Sequence, residues 1–310
     1  MTAFVAQGAL VALARGLELR QVTAVVAERN MKLGSIEFHI LNDGTFRLDG
    51  GAMFGVIPKP MWERVVPCDE RNRITLTMNS LLIRAAAQWI LVETGAGDKF
   101  DDKRRDIYAF QGAPRLLAQL AARGLEPEQI DIVINTHLHF DHCGWNTRIV
   151  NSQAVPTFPN ARYFVHRGEL EHARHPIERD RVSYIPDNFE PMVKSGQWQL
   201  VEGEYREVVP GVELIVLPGH TNDMMGVRLS SGGQTAIFLS DLVPMTAHLP
   251  LPWIMGLDSY PLTTLANKKK WLPQIVREGW LALFCHDGKI PAARLREQEG
   301  KIIAEPVVVD

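Results

Sequence analysis

The densest group of chemically active side chains in the sequence is the segment 136–142, which reads THLHFDH. It contains three histidines and one aspartate within six residues and directly follows the predicted strand 130–135. Imidazole and carboxylate groups are the side chains with which proteins bind zinc and related divalent ions. Alternate side chains of a strand point to one face, so His137 and His139 can converge at the strand end while Asp141 and His142 reach a second point. A histidine-rich loop that arose by chance is the weaker alternative, and we predict metal binding.

Three further ligand candidates follow predicted strands later in the chain. His220 follows the apolar run 214–217, Asp241 follows 235–239, and His286 closes the run 281–285. Each residue taken alone could equally be a capped or hydrogen-bonded loop residue. Together with the segment 136–142 they make a set of seven ligand-type side chains.

The elements that must position these residues can be read from apolar runs and turn formers. Helices are predicted at 114–123, from about 168, and at 262–278. Strands are predicted at 36–41, 46–48, 74–76, 81–85, 89–92, 130–135, 162–165, 213–217, 225–229, 235–239 and 281–285. Strands mixed with helices in both halves of the chain predict a layered α/β architecture.

With these residues in view, the sequence resembles the metallo-β-lactamase superfamily. The family signature His-x-His-x-Asp-His is intact at 137–142, and the later histidine, aspartate and histidine follow in the family's order. The resemblance covers about residues 31 to 286. It implies a four-layer αββα sandwich with two metal ions in a cleft at one edge of the sheets.

The resemblance also implies a role for each of the seven residues. The first metal would be bound by His137, His139 and His220, the second by Asp141, His142 and His286, and both by Asp241. The diiron branch of the superfamily has Glu at the position of His139, so two Zn²⁺ ions are the expected cofactors. Mn, Co and Fe stay open, because availability decides much of metal identity.

The chemistry expected of two such ions is hydrolysis. Two cations a few ångströms apart lower the pKa of a bridging water to near neutrality and generate a bridging hydroxide. The hydroxide attacks a carbonyl or phosphoryl group that a metal polarises, and a metal stabilises the resulting oxyanion. Asp141 is the expected catalytic residue, because it would bind the second metal and could also orient the nucleophile.

Supporting residues are expected beside the ligands. Glu93 occupies the place of the acid in a family motif that usually reads Asp-Thr-Gly, and the resemblance implies that it supports a ligand histidine from behind. A surface acid at a strand end is the alternative. Cys143 and Cys285 flank ligand candidates, and we interpret both as buried thiols that do not bind metal.

Two apolar stretches punctuated by Gly and Pro, 50–62 and 249–255, could line a substrate pocket. Met53, Phe54 and Trp253 are the pocket candidates, and ordinary loop packing or a dimer interface is the alternative. His248, seven residues after Asp241, is a further candidate for the site.

The stretch 50–62 and the segment HLHFDHCGWN resemble the branch with N-acyl-homoserine lactonases, which are quorum-quenching enzymes, and methyl-parathion-type hydrolases. Those lactonases place a substrate-binding tyrosine where this chain has Pro244, so His248 or the metal would have to replace it. The leading expectation is opening of a lactone or cleavage of an ester with an apolar substituent. The alternative is an organophosphate (phosphotriester) hydrolase. A glyoxalase II-like thioesterase, a β-lactamase and a non-catalytic ligand-binding protein are less favoured.

Composition argues against nucleic-acid and membrane partners and leaves a small-molecule substrate with an apolar part as the expected partner. The chain has 310 residues, 46% of them hydrophobic and 22% charged, and a formal net charge of -3. Basic residues are dispersed apart from 268–270, which we interpret as an exposed helix face, so we expect no nucleic-acid partner. No apolar run reaches the roughly 18 residues that a membrane span needs, so we expect no membrane partner.

The same features lead to expectations about organisation and compartment. Three cysteines, an odd and low number, suit a reducing compartment, and we expect a cytoplasmic protein. We expect residues 1–30 to be a dispensable extension, with a weak export signal as the alternative, and 31–310 to form a single catalytic domain. The apolar stretches would permit a homodimer.

Overall fold

The computed structural model describes residues 30–111 and 114–307, so the expected extension 1–30 lies almost wholly outside it. The strands in chain order are β1 Asn30–Leu33, β2 Ile36–Asp49, β3 Arg73–Ala85, β4 Gln88–Val92, β5 Ile132–Ile134, β6 Thr147–Val150, β7 Gln153–Pro156, β8 Arg162–His166, β9 Trp198–Val201, β10 Tyr205–Val209, β11 Val212–Val216, β12 Met225–Ser231, β13 Gln234–Phe238, β14 Leu281–Leu283, β15 Ala292–Gln298 and β16 Lys301–Pro306. The helices are α1 Gly50–Phe54, α2 Lys59–Trp62, α3 Asp102–Tyr108, α4 Leu116–Ala121, α5 Phe140–Cys143, α6 Arg167–Arg174, α7 Glu190–Ser195 and α8 Pro261–Glu278.

Two large sheets organise the fold. Within the described residues the first has seven strands in the order β1-β2-β3-β4-β5-β8-β9, and the second has seven in the order β10 to β16. Strands β4, β5, β8 and β9 run parallel, as do β13 and β14, and the other neighbours in the two sheets are antiparallel. Parallel neighbours end at the same edge of a sheet, so the segments that follow β4, β5, β13 and β14 are brought to one side of the molecule.

The main core lies between the two sheets. In β5, Ile132 and Ile134 point into it, while Val133 points to the opposite face. In β13, Phe238 points into the same core, while Ile237 points away. Successive strand residues face opposite sides, and both faces of these strands are covered, which explains why their sequences are apolar throughout.

Helices cover the outer face of each sheet. Leu116 of α4 and Leu170 of α6 pack on the outer side of the first sheet, and Trp271 and Ile275 of α8 pack on the outer side of the second. The layers are therefore helix, sheet, sheet, helix, and the predicted αββα sandwich is confirmed.

Three expectations about local structure need correction. The predicted strands 36–41 and 46–48 are one strand, β2, because the turn formers between them produce only a register shift between Asn42 and Thr45. The predicted strands 74–76 and 81–85 are likewise one strand, β3. The apolar stretch 50–62 is not a loop but contains α1 and α2, which bury Phe54 and Trp62.

Lys268 needs a further correction, since it is fully buried rather than on an exposed face. Its Nζ donates to the carbonyl oxygens of His248 at 2.7 Å, Pro250 at 2.8 Å, Trp253 at 2.9 Å and Leu251 at 3.3 Å. A buried ammonium needs hydrogen-bond partners, and this one has four from a single loop. The hydrogen bonds of the lysine therefore hold the loop 248–253 against α8.

Among the described residues, no helix is both long enough and apolar enough to cross a membrane.

Candidate metal centre

The seven ligand candidates meet at the edge where the strands end. The segment 136–142 follows β5, His220 follows β11, Asp241 follows β13 and His286 follows β14. Backbone hydrogen bonds join the two sheets at this edge: Met225 N donates to the Thr136 carbonyl at 2.9 Å, and Asn79 N donates to the Cys285 carbonyl at 2.8 Å. The site is thus built on four strand ends from two sheets that are bonded together beside it.

The first donor group consists of His137, His139 and His220. One nitrogen from each lies within 4.8 Å of the others, and all three side chains are buried. His139 Nδ1 and His220 Nε2 are 3.0 Å apart. Within the described residues, the buried Nε2 atoms of His137 and His139 have no hydrogen-bond partner. Buried polar atoms without partners are costly, so this group fits a bound cation.

The second donor group consists of Asp141, His142 and His286. Asp141 Oδ2 lies 3.6 Å from His142 Nε2 and 3.5 Å from His286 Nε2. The helix α5, which begins at Phe140 directly after His139, carries Asp141 and His142. The ring of His142 also lies near the first group, with its centroid 4.0 Å from that of His137. The division of the motif into two ligand sets stays a prediction.

Asp241 lies between the two groups. Its Oδ2 is 3.2 Å from His220 Nε2 of the first group. Its Oδ1 is 3.3 Å from His286 Nε2 and 3.7 Å from His142 Nε2 of the second. One carboxylate oxygen thus faces each group, so this carboxylate could be shared by two cations.

The outer nitrogens of the histidines are held by neighbouring groups. His220 Nδ1 lies 3.0 Å from Asp258 Oδ1, and His286 Nδ1 lies 2.7 Å from the carbonyl oxygen of Thr77. A nitrogen that faces a carbonyl oxygen must carry the proton, so in the neutral ring the other nitrogen presents its lone pair to the centre. Hydrogen bonds of this kind set the tautomer and ring orientation that metal binding needs.

The electrostatics of the cluster are mixed: against the effect of burial, neighbouring carboxylates raise the pKa of His142 to about 10 and also raise that of His220, whereas three other donors are already in the metal-binding form. Burial and the neighbouring histidines hold the pKa of His137 and of His139 well below the ordinary value, so both rings are neutral. Burial alone would raise the pKa of Asp241, but the surrounding histidines hold it well below its usual range. Metal ligands must be deprotonated to bind, and these three already are at neutral pH.

Glu93 lies behind the second group. Its Oε2 is 3.5 Å from His142 Nδ1, and its Oε1 accepts a hydrogen bond from Thr136 N at 3.1 Å. Burial raises the pKa of this carboxyl. Glu93 has a φ of 63°, a left-handed conformation that is uncommon outside glycine. The supporting role of Glu93 stays a prediction.

Gly219 shows how the fold brings Asp258 to His220. Its φ is 148°, and a Cβ at this position would lie 2.2 Å from Thr264 Oγ1 and 2.8 Å from Thr264 Cα. The absence of a side chain lets the start of α8 approach the loop. Thr264 then donates to Asp258 Oδ2 at 2.6 Å and holds the carboxylate against the ring of His220.

A cavity of about 250 Å³ opens onto both donor groups. Five of the seven ligand candidates line it: His139, Asp141, His220, Asp241 and His286. Its apolar lining consists of Leu48, Met53, Phe140, Val182, Met255 and Leu257, and its remaining lining of Tyr108, Arg179, Asp180, Ser183 and Gly256. A concave, largely apolar site with a few polar groups is typical of small-molecule binding.

Of the four predicted pocket residues, the structure places Met53 in the cavity lining, and Phe54, Trp253 and His248 outside it. The Phe54 ring stacks on His248 at 4.9 Å and on Trp62 at 5.4 Å, and meets Trp253 edge-on at 5.6 Å. His248 Nε2 lies 2.8 Å from the Met53 carbonyl oxygen, and burial lowers the pKa of His248 to about 4. These three residues pack α1 against the loop 248–253 because both faces of that contact are apolar.

The two cysteines beside the ligands are buried, as expected. Cys143 Sγ donates to the carbonyl oxygens of Leu138 and His139. Cys285 Sγ donates to Asp241 Oδ1 at 3.1 Å and, with Asp241 and His286, also forms a group whose atoms could hold a metal. That neither thiol binds metal therefore stays a prediction.

Sequence reasoning missed several residues of the site. Asp258, which holds His220, lies in a segment that precedes α8 and looks like an ordinary helix start. Tyr108 and Arg179 line the cavity from a short polar helix and an exposed loop. Nothing in the local sequence around these three distinguishes them from surface residues, since only long-range contacts bring them to the strand ends.

Comparisons with known proteins agree with this geometry. Residues 75–286 match the model of the metallo-beta-lactamase superfamily. A probable metal-dependent hydrolase from Staphylococcus aureus has a similar structure, with a TM-score of 0.82 and 30% identity over 90% of this chain and 100% of that chain. AidC, a dizinc quorum-quenching lactonase, shares the fold with a TM-score of 0.74 at 21% identity, over 90% of this chain and 97% of its own.

Curated relatives match a smaller part of the sequence. An N-acyl homoserine lactonase from a Bacillus species is 36% identical over 176 residues, which is 56% of this chain and 62% of the relative. This chain thus spans less than two thirds of the length of the lactonases that it matches. The family match covers β3 to β14 and includes all seven ligand candidates. The chain belongs to the metallo-beta-lactamase superfamily.

Proposed function

We propose that the chain is a hydrolase that depends on two divalent metal ions and opens a lactone or cleaves an ester with an apolar substituent. The observation that carries this proposal is the placement of Asp241, with one carboxylate oxygen facing each of two donor groups beside a cavity. The identity to N-acyl homoserine lactonases supports the choice of a lactone. Zinc is the proposed ion because the donors are imidazole and carboxylate, without the additional carboxylate of a diiron site.

The proposed ligands form two sets that share Asp241. His137, His139 and His220 would hold one ion, Asp141, His142 and His286 the other, and Asp241 both. When bound, two such ions acidify water and polarise the scissile carbonyl or phosphoryl group.

The remaining chemistry belongs to the chain's own residues. Asp141 lines the cavity and can accept a hydrogen bond from the attacking water, which orients that water toward the substrate. Tyr108 belongs to the same lining, and burial and the charge of Asp141 raise the pKa of its hydroxyl. It therefore keeps its proton at neutral pH and can donate to an oxygen of the substrate.

The shape of the cavity supports an apolar substituent on the substrate. Val182 is 70% exposed and Leu257 is 42% exposed, and both contribute to the lining. Exposed apolar side chains beside a catalytic cluster are typical of a site that binds an apolar group. Arg179 and Ser183 provide polar contacts on the same lining for the oxygen atoms of a substrate.

A phosphotriester substrate is the second candidate, and one observation favours it. Pro244, at the position of the lactonase tyrosine, has no hydroxyl, and its carbonyl oxygen accepts a hydrogen bond from His286 N at 3.0 Å. His248, the other donor considered from the sequence, does not line the cavity. A substrate whose activation depends mainly on metal ions would lose less from the missing hydroxyl.

The test is elemental analysis of the purified full chain together with hydrolysis rates for a long-chain acyl lactone and for paraoxon. About two metals per chain with the lactone hydrolysed faster supports the leading proposal. Two metals with paraoxon hydrolysed faster supports the phosphotriester candidate. Little metal and no turnover of either substrate would refute both and favour a ligand-binding protein. The exposed His175 offers a matched control, because His175→Ala removes an imidazole away from the site.

A further inference from the structure

Glu169 of α6 is a buried carboxylate that does not line the cavity and has no role in the proposed chemistry. Glu169 is only 1% exposed. Its Oε1 accepts hydrogen bonds from Leu138 N at 2.9 Å and from the Tyr184 hydroxyl at 3.1 Å, and its Oε2 accepts one from Thr221 Oγ1 at 2.6 Å. A buried carboxylate is costly unless it is well bonded, and three donors satisfy this one.

These bonds connect the two segments that carry the first donor group. Leu138 lies between His137 and His139, and Thr221 directly follows His220. The third donor, Tyr184, packs its ring against the ring of His139, with centroids 4.8 Å apart. The Glu169 carboxylate thus accepts hydrogen bonds from the backbone between His137 and His139, from the side chain that follows His220, and from the tyrosine whose ring packs on His139.

The two segments have no local reason to be close together. The segment 136–139 follows β5 of the first sheet, whereas 217–221 follows β11 of the second. The metal-facing nitrogens of a three-histidine site must lie within a few ångströms of one another. A small shift of one sheet edge relative to the other would therefore separate them and weaken metal binding. Glu169 is bonded to both edges, and it has no such bond to Asp141, His142 or His286 within the described residues.

We propose that Glu169 is a positioning residue for the first donor group: it sets the spacing between the His137–His139 turn and the His220 loop, and thereby the metal affinity of that group alone. This inference rests on the proposed function, since it assumes that the group binds a metal. A carboxylate with a merely structural role would change the stability of the fold and leave the ratio of the two metal affinities unchanged.

The test measures Zn²⁺ affinity by competition with a chromophoric chelator, using the metal-free full chain. Each Glu169 variant is made in two backgrounds: His286→Ala, which removes a donor of the second group, and His139→Ala, which removes a donor of the first. The two backgrounds report the two groups separately. Glu171→Ala is the matched control, because Glu171 is an exposed glutamate on the same helix.

We expect Glu169→Ala to weaken zinc binding by the first group about 10- to 100-fold, the usual cost of losing a hydrogen bond that orients a ligand. Binding by the second group should change less than about 3-fold. Glu169→Gln should restore most of the affinity, because its amide oxygen accepts from Leu138 N and Tyr184 while its NH₂ donates to Thr221. Glu171→Ala should match the parent chain.

Two further variants keep the test decisive if Glu169→Ala does not fold. Thr221→Val removes only the bond to the His220 loop, and Tyr184→Phe removes only the hydroxyl; each should weaken the first group by less than Glu169→Ala. Equal weakening of both groups, or unchanged affinity of the first group in every variant, overturns the inference and leaves the proposed function intact. A parent chain that binds no zinc overturns both.

Discussion

Replacing Lys268 by methionine should make the stability of the protein respond differently to alkaline pH. Methionine has a similar length but no donors, so Lys268→Met leaves the carbonyl oxygens of His248, Pro250 and Trp253 without the bonds of 2.7 to 2.9 Å that they now accept. Each buried acceptor left unsatisfied costs about 1 kcal/mol or more. We therefore expect a loss of roughly 3 kcal/mol in the free energy of unfolding at pH 7.

The pH dependence follows from the pKa of the buried lysine. Burial lowers the pKa of Lys268 from 10.5 to about 7, against the attraction of Asp258. Between these two values the unfolded chain binds a proton that the folded chain does not, so the free energy of unfolding rises with pH. The lysine's contribution is present in full above pH 10.5 and is lost as the pH falls through 7. At about 1.4 kcal/mol per pH unit, the difference between the native chain and Lys268→Met should grow by about 2 kcal/mol from pH 7 to pH 9.

Urea unfolding of the metal-free native chain and of Lys268→Met at pH 7, 8 and 9 measures this difference. Other titrating groups are common to both chains and cancel in the comparison. Lys269→Met is the control, since Lys269 is exposed on the same helix and its replacement should give no pH-dependent difference. A difference that stays constant from pH 7 to pH 9 would refute the reasoning, because it would mean that the four carbonyl oxygens keep the ammonium charged in the folded chain.

Three other predictions concern the site and its surroundings. His139→Ala should lower metal content and hydrolysis rate together, because it removes a donor of the first group; full metal and full activity in this variant would refute the ligand assignment. Asp258→Asn should weaken zinc binding about 10- to 100-fold, because the amide no longer holds His220 Nδ1 as the carboxylate does; unchanged affinity in a chelator competition would count against that role. Phe54→Ala, at a residue that the sequence suggested as pocket lining, should lower the free energy of unfolding by about 3 to 5 kcal/mol, since Phe54 is fully buried between Trp62 and His248. A Phe54→Ala chain of native stability with a raised KM would restore the pocket assignment.

The residues of the candidate metal centre could be predicted because their signals are local. Three histidines and an aspartate at 137–142 identify one another by spacing, and His220, Asp241 and His286 each end an apolar run. The layered fold could be predicted for a similar reason: strands such as β5 and β13 are buried on both faces and are therefore apolar throughout. Both the ligand-type residues and the buried strands could therefore be identified from short segments of sequence.

Which residues surround the centre was decided only by the tertiary structure. Glu169 accepts a hydrogen bond from Leu138, which is 31 residues away in sequence, and Asp258 holds His220, which is 38 residues away. No local sequence pattern indicates either partner. From the sequence, the apolar run 50–62 looked like a pocket loop. In the structure its aromatic side chains pack together and against the loop 248–253, which Lys268 holds by hydrogen bonds. Periodicity and ligand type depend on neighbours along the chain, so the sequence by itself determined the sandwich and the seven candidate ligands. The distances between strand ends, the supporting carboxylates and the lining of the cavity depend on how the two sheets meet, which is a property of contacts between segments that are remote in sequence.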